Sequence, residues 1–166
     1  MLTRPGGPVV VSERSLLALA AIRRQHLLGE MFGEVALPRS SWPVAAGALG
    51  DEPPAWLVVL DDRPDVVLPT RCDETAGATA AEAAALRLAV GLPASLVIID
   101  GPVKEKAKLS FIKCEGVVGL LVQAYRTGRL TAVPPMVKAL QKLGYTDVVP
   151  APHLLEAMYQ ALEAMG

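Results

Sequence analysis

The chain has 166 residues, of which 52% are hydrophobic and 20% charged, and its formal net charge is −1. This length and composition predict one folded domain with a sizeable core and argue against a disordered protein. The near-zero charge provides no general attraction to nucleic acid, so any such binding requires a local basic patch.

Several protein classes lack support in the sequence. No run of about 18 apolar residues is present and the N-terminus has no apolar signal segment, so we expect a cytoplasmic protein. Cys72 and Cys114 lack CxxC spacing and are too few for a zinc site, so we expect two reduced thiols. The absence of GxSxG, P-loop and GxGxxG motifs leaves serine hydrolases, nucleotide kinases and dinucleotide-binding enzymes without a motif.

Strand and helix patterns alternate along the chain. Residues 1–7 are expected to form a flexible tail and residues 8–166 a single domain. Apolar runs predict strands at 8–12, 34–37, 56–60 and 95–99, with an edge strand at 111–114. Helices are predicted at 15–26, after Ser40–Ser41, at 80–91, in the lysine-rich segment after Pro102, and at 116–125, 134–143 and 152–165. Residues 61–79 are predicted to form an irregular segment on the surface, called here the surface excursion. This order predicts a three-layer α/β/α sandwich around a mainly parallel sheet of four or five strands.

Three acids occupy positions that suggest a metal site. Glu13 follows the first strand, Glu82 lies in the first turn of a helix, and Asp100 ends a buried strand. Carboxylates at strand ends point into the crevice where α/β proteins bind ligands, and Mg²⁺ and Mn²⁺ prefer oxygen ligands. The alternatives are structural: Glu13 and Glu82 as helix N-terminal charges, and Asp100 as a turn residue.

The lysines of the segment after Asp100 form the only concentrated basic region of the sequence. They are Lys104, Lys106, Lys108 and Lys113. Lysines in this position could contact a phosphate backbone without reading its sequence. The alternative is a solvated helix face.

Several segments resemble PIN-like domains of the DUF3368 type. The run Val9–Leu19 is similar to the opening strand and helix of that family, and residues 81–100 are similar to its glutamate-bearing helix followed by a strand that ends in aspartate. Residues 116–121 are similar to its Gly-Thr-x-Gly-Leu-Leu helix. The resemblance covers roughly residues 8–145.

The resemblance implies a PIN-like α/β/α fold and a Mg²⁺- or Mn²⁺-dependent ribonuclease, often the toxin of a toxin–antitoxin pair. It implies that Glu13, Glu82 and Asp100 bind the ion and are catalytic, that the lysines hold single-stranded or structured RNA, and that an antitoxin and a second copy of the chain are partners. The fourth acid is open between Glu105 and Glu115.

Departures from the family pattern favour a second interpretation. Glu13 replaces an aspartate, Ala81 a glycine, Gly101-Pro102 a polar pair and Val117 a threonine. The alternative is therefore a PIN-like module that binds nucleic acid or protein through a degenerate, non-catalytic site. A small-molecule hydrolase is a third interpretation that rests on the acids alone.

Overall fold

A computed structural model describes residues 7–165 of the chain. Its strands are β1 (Val9–Val11), β2 (Val35–Pro38), β3 (Leu57–Leu60), β4 (Leu96–Ile98) and β5 (Cys114–Glu115). Its α-helices are α1 (Glu13–Ala21), α2 (His26–Phe32), α3 (Trp42–Leu49), α4 (Ala80–Gly91), α5 (Pro102–Leu109), α6 (Val117–Arg126), α7 (Pro134–Lys142) and α8 (Pro152–Met165). None of the helices in this part of the chain is long and apolar enough to cross a bilayer.

The five strands form one parallel sheet in the order β3-β2-β1-β4-β5. In the centre of the sheet, Val11 of β1 is in register with Ile98 of β4. Parallel strands need crossover connections, and helices of the chain provide them. The parallel α/β architecture predicted from the sequence is confirmed.

Alternate residues of the central strands enter two separate cores. Val9 and Val11 pack in a cluster with apolar residues of α1, α2, α3, α6 and α7, whereas Val10 packs with α4 and α5. Successive side chains of a strand point to opposite faces, so a strand buried on both faces is apolar throughout. The continuous run Val9–Val11 therefore indicates helices on both faces of the sheet.

The first predicted helix is shorter than expected. It was predicted over 15–26, but α1 ends at Ala21 and Arg23 has a positive φ of 58°. A new helix, α2, begins at His26 and contains Gly29 in its interior. The sequence pattern missed this end because a positive-φ residue at a helix end is usually glycine.

Two other segments differ from the predictions. The edge strand predicted at 111–114 lies at Cys114–Glu115, and Phe111 stands in a turn before it. The excursion at 61–79 contains two short 3₁₀ turns, Thr70–Cys72 and Glu74–Ala76, and buries Leu68. The predicted flexible tail lies, apart from Gly7, outside the described residues.

Candidate functional site

The sheet order creates a crevice between the C-terminal ends of β1 and β4. The chain adds β2 and β3 on one side of β1 and then crosses to add β4 and β5 on the other. Ligands of open α/β sheets bind at such a switch point. Glu13 follows β1 and Asp100 follows β4, so these two acids flank this crevice.

Asp100 is a buried carboxylate held from two sides. The Ser15 hydroxyl donates a hydrogen bond of 2.7 Å to Oδ2, and the Val117 backbone N–H lies 3.2 Å from both carboxylate oxygens. The Ser12 hydroxyl donates in turn to Ser15 Oγ at 3.0 Å. Because Val117 is the first residue of α6, Asp100 also lies at the positive end of that helix dipole.

Burial raises the pKa of Asp100 to about 6, although the Ser15 hydroxyl, the Val117 amide and the Lys104 charge act in the opposite direction. A Cβ placed on Gly116 would lie 2.5 Å from Asp100 Oδ1 and 3.1 Å from Lys104 Nζ. The absence of a side chain at Gly116 thus leaves room for both charged groups beside the N-terminus of α6.

Glu82 closes the N-terminus of α4. Its backbone N–H donates to Thr79 Oγ1 at 3.1 Å, and its Oε1 accepts from the Thr79 N–H at 2.8 Å. This reciprocal pair is a capping box. The other oxygen, Oε2, lies 3.5 Å from the place where a Cβ on Gly101 would stand. Glu82 therefore has a structural role and also reaches the loop after Asp100.

Glu13 lies in the first turn of α1, directly after the end of β1. It borders a cleft of about 370 Å³. The other residues that line this cleft are Ser40, Ser41, Asp62, Arg63, Pro64, Ala80, Ala81, Ala84 and Arg87. Neither Glu82 nor Asp100 is among them.

The predicted metal ligands do not come together as a preformed ion site. Within residues 7–165, no group of three His, Cys, Asp or Glu side chains is placed to hold a metal ion. The carboxylates therefore do not fit a preformed Mg²⁺ or Mn²⁺ centre. The Glu82 carboxylate accepts from the Thr79 N–H, the Asp100 carboxylate accepts from Ser15 and Val117, and Glu13 lines the cleft of about 370 Å³. The assignment of Glu13, Glu82 and Asp100 as ligands stays a prediction.

Three of the four predicted nucleic-acid-binding lysines lie on α5, and Lys113 follows that helix. Lys104 lies near Asp100, whereas the Lys106 ammonium donates to the Ala76 carbonyl at 2.8 Å. Lys108 and Lys113 are exposed and border a shallow pocket at the other end of the helix. Lys104 and Lys108 lie four residues, about 6 Å, apart along α5 and on the same face of the helix, whereas Lys113 follows the helix.

Sequence reasoning missed two contacts beside the acids. Ser15, the first residue of the helix predicted at 15–26, donates a hydrogen bond to Asp100 through its hydroxyl. Arg14 forms a bidentate pair with Asp147 at 2.7 and 2.9 Å, and its guanidinium lies 4.2 Å from the centre of the Tyr145 ring. Both contacts join residues far apart in the chain, and no local pattern reports such pairs.

A comparison with known protein families identifies the family of this chain. A family model described as DUF3368, a PIN domain, matches residues 68–159. The chain belongs to this PIN-domain family. The matched segment contains Glu82 and Asp100, and Glu13 lies outside it. No curated protein and no solved structure matches the chain.

Proposed function

We propose that this protein is a PIN-domain module that binds single-stranded RNA without a preformed metal centre. The observation that carries the proposal is the division of the predicted acids among three different sets of neighbours. Two-metal and one-metal nucleases need carboxylates that converge on the ion, because direct oxygen ligands lie about 2.0–2.6 Å from it. Family membership supports nucleic acid as the ligand class.

The basic side chains of α5 and of the segment that follows it support a polyanionic ligand. Lys108 and Lys113 are exposed, and Lys104 lies where α5 begins beside the crevice. Lysine–phosphate contacts give affinity that falls with salt and does not depend on sequence. With a net charge of −1, the affinity depends on these side chains and not on the whole protein.

The test is RNA binding measured by fluorescence anisotropy with a labelled single-stranded oligonucleotide in EDTA. The variant Lys104→Gln/Lys108→Gln/Lys113→Gln is expected to lose most of the affinity. Its matched control, Arg129→Gln/Lys138→Gln/Lys142→Gln, loses the same charge from exposed positions elsewhere. Equal weakening in both variants would contradict a site on α5, and no binding by the unmodified protein would contradict the proposal as a whole.

A metal-dependent endoribonuclease is the second candidate. One specific observation favours it: Glu82 Oε2 faces the loop that follows Asp100, and Glu13 and Asp100 flank the same crevice. Incubation of single-stranded RNA with the protein and Mn²⁺, beside the variant Asp100→Asn, separates the candidates. Cleavage that disappears in the variant would replace the binding module with a nuclease.

The partners implied by the family resemblance stay proposals. They are an antitoxin protein and a second copy of the chain. A single elution peak at the monomer mass of 17.5 kDa in size-exclusion chromatography with light scattering would contradict the homodimer.

A further inference from the structure

Within residues 7–165, four helices end in the same hydrogen-bonded motif. In α5 the Phe111 N–H donates to the Lys108 carbonyl at 3.1 Å and the Ile112 N–H to the Ala107 carbonyl at 3.0 Å. This is the Schellman arrangement, in which one residue after the helix has a positive φ. The same bonds close α1, α6 and α7. The positive-φ residue is Gly128 after α6 and Gly144 after α7, but Arg23 after α1 and Phe111 after α5.

Phenylalanine at this position is unfavourable for the fold. Phe111 has a φ of 65°, and a bulky side chain in the left-handed region is strained. Its ring is 99% exposed, so it contributes no burial that would offset the strain. Glycine would close the same motif without strain, as it does after α6 and α7. A residue that the fold does not favour at an exposed position points to an interaction outside the molecule.

The surroundings of Phe111 are basic. Lys108 and Lys113 border the same shallow pocket as the ring. Residues 104–115 contain four lysines and two glutamates, a local charge of +2 in a chain whose net charge is −1. An aromatic ring beside two cations is the arrangement by which proteins bind single-stranded nucleic acid, where bases stack on rings and phosphates contact cations.

We propose that Phe111 stacks on a base of single-stranded RNA while Lys108 and Lys113 contact the neighbouring phosphates. This inference rests on the proposed function, and it identifies where that ligand is held. A protein partner fits the surface less well, because the exposed apolar residues here, Phe111 and Leu109, stand among lysines and offer little of the contiguous apolar area of a protein interface.

The experiment compares three substitutions of Phe111 by thermal unfolding and by RNA anisotropy. Phe111→Gly is expected to raise the melting temperature, because it removes the strain, and to weaken RNA binding about tenfold. Phe111→Trp should keep the affinity, and its fluorescence above the background of Trp42 and Trp56 should fall when RNA binds. Phe111→Leu should bind as weakly as Phe111→Gly, because leucine is apolar but cannot stack. Val67→Ala serves as the control, since Val67 is an exposed apolar residue (87%) outside the basic segment.

The outcomes separate this inference from the proposed function. If the unmodified protein binds RNA and the lysine variant does not, but all Phe111 variants bind normally, stacking is overturned while the binding module stands. Full binding by Phe111→Leu would also overturn stacking, because apolar contact would then be sufficient. If the unmodified protein does not bind RNA, the proposed function and this inference fail together, and a protein partner becomes the interpretation of the exposed ring.

Discussion

At the scale of single residues, Asp100 combines nearly complete burial with hydrogen bonds that only partly compensate for lost hydration. Its pKa is raised from 3.8 to about 6. A carboxyl group whose pKa is higher in the folded than in the unfolded state destabilises the fold once it ionises. The contribution of Asp100 to the free energy of unfolding is therefore most favourable below pH 4, and it becomes unfavourable as the pH rises to 6.

The variant Asp100→Asn tests whether ionisation of Asp100 destabilises the fold. Asparagine is similar in shape and does not ionise, so the variant lacks the penalty that the wild type acquires between pH 4 and pH 6. We expect the unfolding free energy of the variant, relative to wild type, to increase by about 2–3 kcal/mol between pH 4 and pH 7. Urea denaturation of both proteins at the two pH values measures this difference. A difference that does not change with pH would show that Asp100 ionises normally in the fold.

Glu82 provides a second residue-level prediction because its capping role and a role as a charged ligand respond to different substitutions. Glu82→Gln keeps an oxygen that can accept from the Thr79 N–H, so stability should change little. Glu82→Ala removes that bond and should lower the unfolding free energy by about 1 kcal/mol. Thermal unfolding of both variants measures this, and equal stability of the two would contradict the capping role. If the unmodified protein cleaves RNA, loss of cleavage in Glu82→Gln without loss of stability would instead indicate that the carboxylate charge has a chemical role.

The sequence located the acids but not their neighbours. Glu13 and Asp100 follow buried apolar runs, and a strand end is visible in the sequence without the fold. The Ser15–Asp100 hydrogen bond joins residues 85 positions apart. Such contacts depend on which strands are adjacent, and one-dimensional periodicity does not carry that information. The same limit explains why the sequence predicts convergence of the three acids, whereas each of them has different neighbours in the structure.

At the scale of elements, Gly29 shows how packing overrides helix propensity. A Cβ at Gly29, inside α2, would lie 2.6 Å from Trp56 Cγ, whereas a Cβ at Gly47, inside α3, would meet nothing within 4 Å. Alanine normally stabilises a helix interior by about 0.5–1 kcal/mol relative to glycine.

We therefore expect the two alanine substitutions to have opposite effects. Gly47→Ala should raise the unfolding free energy by roughly 0.5–1 kcal/mol. Gly29→Ala should lower it by about 1–3 kcal/mol, because Trp56 must move. Urea denaturation of the two variants measures the sign of both changes in the free energy of unfolding. Stabilisation by Gly29→Ala would mean that α2 and Trp56 separate easily.

Helix ends were predicted where glycine marks them and missed where it does not. The ends of α6 and α7 near Gly128 and Gly144 follow from the sequence. The end of α1 was placed five residues too late, because Arg23 occupies the position that glycine usually takes. Phe111 also occupies the position that glycine usually takes, and the sequence predicted it to lie in a strand. Aromatic residues favour strands, and its positive φ is imposed by the hydrogen bonds that close α5.

At the scale of the whole molecule, the parallel sheet was predictable because buried strands alternate with helices along the chain. The order of the strands was not, yet that order puts Glu13 and Asp100 on either side of one crevice. The charge distribution was likewise only partly predictable from the sequence. The lysines are close together in the sequence, while the bond of Lys106 to the Ala76 carbonyl and the pocket shared by Lys108 and Lys113 required the structure.

The weak overall charge leads to a last prediction, about salt. A protein with a net charge of −1 has no long-range attraction to RNA, so binding should depend on the few lysines that contact phosphates. For single strands the slope of log K against log salt concentration is about −0.7 per contacted phosphate, so contacts by Lys104, Lys108 and Lys113 predict a slope near −2. Anisotropy titrations between about 50 and 200 mM salt measure this slope. Lys113→Gln should reduce it by about 0.7, whereas Lys138→Gln should leave it unchanged. A steep slope that neither substitution changes would mean that RNA binds elsewhere on the molecule.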